Sequence, residues 1–146
     1  MTLHDFVTLI YKQLGMPEPK VNEEAKYEFT VDDHWEVSVY TKQKQFVLQA
    51  KMGKPLSPAN EEQNCTLLRE MLDFNLKTMR IMDEIFCMDG ETQQLYCRKL
   101  LNPSDLNEKN GWNLVEDFLV NLEIIEDHFF SNVPKDKGPM HPSFLS

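Results

Sequence analysis

The sequence predicts a single α+β domain ordered α-β-β-β-α-β-β-α, a twisted antiparallel sheet packed with helices and assembled as a homodimer. Three observations carry that prediction. Apolar residues recur at helical spacing in three stretches, strict period-two alternation fills the segments between the first two, and turn residues punctuate the joins. The chain of 146 residues is 41% apolar, enough for one core in one domain, placed at 1–132 with a flexible proline-containing tail at 133–146.

The first helix opens on Thr2 with Asp5 three places on, a start signal related to the capping box, and closes at Gly15 before Pro17. Its apolar residues Leu3, Phe6, Val7, Ile10, Tyr11 and Leu14 span roughly 140° of the helix at about 100° per residue. Three strands follow the polar run PEPKVNEE. Tyr27, Phe29 and Val31, then Trp35, Val37 and Val39, then Phe46, Leu48 and Ala50 occupy alternate positions, with hairpin breaks at Asp32–His34 and Thr41–Gln43.

The second helix starts at an Asn60 cap with Gln63 three places on, and it breaks the rule that the first one obeys. Leu67, Leu68, Met71, Leu72, Phe74, Leu76 and Met79 fan over roughly 200°, where a surface helix keeps a stripe near about 100°. One small sheet cannot cover so wide a stripe, and the simplest cover is a second copy of the chain. Methionines 71, 79, 82 and 88 cluster in the same region, and methionine adapts to partners of differing shape. Asp89-Gly90 then marks a tight hairpin, which would set Phe86 opposite Gln93 and keep Cys87 and Cys97 apart. A third helix runs from about Trp112 to Phe130, its apolar residues spread over roughly 160°.

Composition narrows the function classes. A net charge of −9 opposes binding to phosphate backbones and favours neutral or basic partners. No export signal opens the chain, and no stretch reaches membrane-span length, so the expectation is a cytoplasmic protein without membrane insertion. Three cysteines without CxxC spacing suit reduced thiols. The four histidines lack metal spacing, and His34 beside Asp32 and Asp33 reads as a polar turn. Glycine-rich phosphate loops and a nucleophile elbow are missing. The expectation is therefore no catalytic residue, no metal and no cofactor. An enzyme reading would rest on Glu84, Asp89 and Glu91, and needs them convergent in a deep polar pocket.

The motifs TLLREMLDFNLK, with Asn75-Leu76 after paired leucines, FVTLIYKQLG and WNLVEDFLVNLEIIEDHFF give the chain a resemblance to the class I chaperones of bacterial type III secretion, the Tir-chaperone-like family. It covers about residues 2–130; the tail after Asn132 and the polar fifth strand QQLYCRKLL depart from the family plan. The resemblance implies an ATP-independent chaperone of the bacterial cytoplasm that binds the N-terminal segment of secreted effectors, keeping it extended. It also implies the secretion-system ATPase as a further partner. It implies a dimer interface of Leu68, Leu72, Phe74, Leu76, Met79, Ile81, Met82, Ile85 and Phe86. The effector would add strands to sheet edges and fill grooves at Phe6, Ile10, Tyr11, Phe29, Val31, Trp35 and Val47. A dimeric adaptor sequestering a transcription regulator or another chaperone would use the same grooves.

Overall fold

A computed structural model describes residues 1–78 and 83–130, and its element order is the one expected. Helix α1 spans Leu3–Leu14, strands β1 Tyr27–Val31, β2 Trp35–Lys42 and β3 Gln45–Met52, helix α2 Glu61–Thr78, strands β4 Glu84–Met88 and β5 Leu95–Leu101, and helix α3 Gly111–Phe129. The five strands form one antiparallel sheet in the order β1-β2-β3-β5-β4, which leaves β1 and β4 as its edges.

Alternation decides which face is covered. Phe29, Val37, Val39, Leu48, Ala50 and Cys97 share one face with Phe86 and join Phe6, Ile10, Phe118 and Leu122 of the helices in one buried core. The opposite face is polar at its centre. There Gln49 Oε1 accepts from Tyr40 Oη at 3.0 Å and from Arg98 Nε and Nη2 at 3.0 and 2.5 Å.

The start of α1 follows the sequence: the Thr2 hydroxyl accepts from Asp5 N–H, Asp5 returns a bond, and Gly15 ends the helix at φ 69°. Three local expectations are corrected. Helix α2 is entered through a 3-10 turn at Pro58–Asn60 whose cap is Ser57, so Asn60 lies inside the turn rather than capping the helix. The β2–β3 turn sits at Gln43 and Lys44, both at positive φ, because Lys42 still pairs with Gln45.

The β4–β5 turn is longer than Asp89-Gly90, and Phe86 faces Cys97 rather than Gln93. Asp89 spends its carboxylate on the N–H groups of Glu91 and Thr92, while Gln94, buried, donates to the carbonyls of Met52, Gly53 and Leu95. Those bonds fix the loop and hence the register. Cys87 pairs with Tyr96, so alternation sets Cys87 and Cys97 on opposite faces, and all three cysteines are free.

A buried charged pair, Glu84 and Lys99, sits beneath this sheet. Glu84, 1% exposed, receives Lys99 Nζ at 3.5 Å and Asn121 Nδ2 at 3.1 Å, joining β4, β5 and α3. Among the described residues its second oxygen, Oε2, is buried without a hydrogen-bond partner.

Candidate functional site

Two sheet edges, the flank of α1 and the outer stripe of α2 are surfaces open to another chain, and Val120 and Ile124 on α3 and Leu100 on β5 are exposed as well. On β1 the main chain of alternate residues points away from β2. Lys26 N–H is taken by Asn22 Oδ1 and its carbonyl by Asn22 N–H, and the Tyr11 hydroxyl donates to the Glu28 carbonyl. Burial raises the Tyr11 hydroxyl pKa above its ordinary value, with Glu28 adding to the rise, so it stays a donor. By the same alternation the N–H of Glu28 and both main-chain groups of Thr30 face outward. Among the described residues nothing bonds to them. Both side chains are exposed.

The other flank of α1 borders a trough of roughly 670 Å³ lined by Met1, Asp5, Thr8, Leu9 and Lys12, with Leu106, Asn107 and Glu108 opposite. Gly111 shapes it: a Cβ there would lie 2.7 Å from Leu9 Cδ2. Asp5 is committed to the helix cap, so this trough holds no free pair of convergent carboxylates.

Helix α2 lies against the β4 edge. Phe74, Phe86 and Phe129 form an aromatic trio with ring centroids 5.2–5.5 Å apart and steep interplanar angles. Met71 and Phe74 are buried, Leu67 and Leu68 half-buried, yet Leu72 is 65% and Leu76 71% exposed. Those two leucines are four residues apart, on one stripe. Ile85 on β4 is exposed as well.

The residues singled out in the sequence divide accordingly. Phe6, Ile10, Tyr11, Phe29, Val31 and Trp35 belong to the core, and Val47, on the opposite face, is buried between Tyr40 and Leu100 in register. Phe29 also lines a small hollow with Glu28, Thr30 and Val37, and the others support the surface from beneath. Of the interface set, Leu68, Leu72, Leu76 and Ile85 reach the surface, Phe74 and Phe86 do not, and Met79, Ile81 and Met82 lie outside the described residues. Residues 133–146 also lie outside them. Leu9 and Leu106 escaped the sequence reading; their signal was an apolar position on the otherwise polar side of α1 and one in a loop.

The acidic residues of the enzyme reading do not converge. Glu84 is buried under the sheet at one end of β4, and Asp89 lies beyond the other, its carboxylate used within its own turn. His34 Nε2 meets Glu126 Oε2 at 2.6 Å and tethers the β1–β2 turn to α3. No group of three or more His, Cys, Asp or Glu stands together as a metal site among the described residues. Nor is any helix among them long and apolar enough to cross a membrane.

The Tir chaperone protein (CesT) family matches residues 5–123. In the crystal structure of the ExsC–ExsE complex a chain 15% identical superposes with a TM-score of 0.69, over 89% of this chain and 95% of that one. The HopA1–SchA chaperone–effector complex contains a chain 12% identical, at a TM-score of 0.57, covering 87% of this chain and 88% of that one. For the Yersinia pestis type III secretion chaperone SycH with a stable fragment of YscM2, the values are 16%, 0.53, 84% and 98%. Comparison with individual curated proteins finds no match.

Proposed function

Because this chain belongs to the Tir chaperone protein (CesT) family, we propose that it is an ATP-independent chaperone of the bacterial cytoplasm that holds the N-terminal segment of a type III secretion effector extended. The observation that carries this reading is the β1 edge beside α1, where the Glu28 N–H and both main-chain groups of Thr30 have no partner among the described residues. An extended chain gains main-chain bonds at such an edge while its alternate side chains enter neighbouring hollows. The trough at Leu9 and Leu106 lies on the far flank of the same helix. Similar folds occur in solved complexes with protein partners, one of them named a chaperone–effector complex.

A homodimer completes the reading. The exposed Leu72 and Leu76 stripe with Leu68 and Ile85 is apolar surface that a second copy would cover. Two copies present two β1 edges to one continuous client, which raises effective concentration. The net charge of −9 keeps the loaded assembly dispersed.

Amide exchange on the complex purified with its bound secreted protein tests this reading. The N–H groups of Glu28 and Thr30 gain protection if the client adds a strand. Thr30→Pro removes one of those donors at an edge position where proline is tolerated, and client retention falls about fivefold to tenfold with little change in melting. Unaltered exchange at both amides would contradict the proposal.

A further inference from the structure

A carboxamide is chemically a peptide group, and Asn75 uses its side chain as one. On β4 the outward-facing main chain at the strand centre is that of Phe86. Phe86 N–H donates to Asn75 Oδ1 at 3.0 Å, and Asn75 Nδ2 donates to the Phe86 carbonyl at 3.4 Å. Both bonds that a neighbouring strand would make at this position are thereby taken. Asn75 is held there from either side of the sequence: Phe74 stacks edge-on to Phe86, and Thr78 bonds back to the Phe74 carbonyl at 2.7 Å.

The β1 edge is treated differently. There Tyr11 supplies one donor to Glu28, a carbonyl that keeps a second lone pair, and Thr30 is left open. A five-residue strand whose central peptide is occupied cannot extend a continuous ladder. We infer that Asn75 is the residue that decides which sheet edge a strand partner can join. By occupying the main chain of Phe86 it closes β4 to strand addition, confines an extended client to β1, and leaves β4 to meet a second copy through side chains such as Ile85. What joins β1 rests on the function proposed above; the closure of β4 does not.

The test uses the client-free chain, so failure to retain a client would sink the chaperone reading and leave this inference standing. Asn75→Ala and the bulkier Asn75→Leu, both compatible with a helix, remove the two bonds, and either variant suffices if the other fails to fold. Exchange at the Phe86 amide should quicken about fivefold to tenfold. Native mass spectrometry should show species larger than the wild-type assembly, growing with concentration as β4 edges pair. Asn75→Asp, which still accepts from Phe86 N–H, should keep most of the protection. Wild-type exchange at Phe86 in the folded Ala or Leu variant overturns the inference. Faster exchange with an unchanged mass overturns it too, because Asn75 would then be a local bond and no barrier to strand partners.

Discussion

Helices α1 and α2 are both amphipathic, yet among the described residues only the first has its apolar stripe covered. Every residue of α1 that points at the sheet is covered, with Phe6, Val7 and Ile10 fully buried. Helix α2 buries Met71 and Phe74 and leaves Leu72 and Leu76 in water. The first follows from a stripe matched in width to the sheet face beneath it. On the second the stripe is wider than the surface available: part becomes core and the remainder stays exposed. The sheet-facing apolar residues of α1 therefore build the core, and those on the outer side of α2 are open to a partner.

That contrast can be broken most sharply in the core. Phe6→Ala should cost about 3–5 kcal/mol in denaturant unfolding, because a large cavity opens where α1 meets the sheet. Lys99→Met should be comparably severe, about 3–5 kcal/mol, since it leaves the Glu84 carboxylate beneath the sheet with Asn121 as its remaining donor among the described residues. A loss below about 1 kcal/mol in either variant would show that the core is not built as described. On α2 the expectation reverses. Replacing Leu72 and Leu76 together with Glu should change the stability of the single chain by only about 0.5 kcal/mol per site. The same change should weaken self-association by at least roughly 3 kcal/mol, about a hundredfold, read by dilution in native mass spectrometry.

The smallest expected effect concerns pH. Burial raises the Cys97 thiol far above its ordinary value of 9.0, with Glu84 adding to the rise. A raised acid favours the protonated folded state, so its contribution is complete below about pH 9 and is lost as pH climbs from there toward the folded value. Unfolding free energy should decline above about pH 9, and Cys97→Val should flatten that decline. An unchanged slope would place the alkaline loss instead in buried Tyr11 and half-buried Tyr40 and Tyr96, whose hydroxyl pKa values burial also raises.

Much of the fold was legible in the sequence because periodicity reports burial directly. Phe29, Val37 and Leu48 alternate in the sequence and share one buried face, and Thr2, Asp5 and Gly15 bound α1 as their chemistry requires. What periodicity cannot report is who does the covering. The apolar faces at Phe6, Ile10 and Trp35 read equally well as groove or as core, and the chain's own sheet and helices cover them. The surplus on α2 was legible because its arc exceeds what one surface can hide. The β4–β5 register was hidden by the Asp89 carboxylate and by Gln94, which reaches a different strand. Asn75 was visible within its motif, but its bond to Phe86 joins residues of two different elements, and no local pattern encodes that.

Sedimentation of the purified, client-free chain over a wide concentration range tests the central claim most directly. Two copies sharing the Leu72 and Leu76 stripe predict a dimer that the paired glutamate substitutions convert to a folded monomer. A wild-type chain that stays monomeric at the highest concentration, or a dimer indifferent to those substitutions, would contradict it.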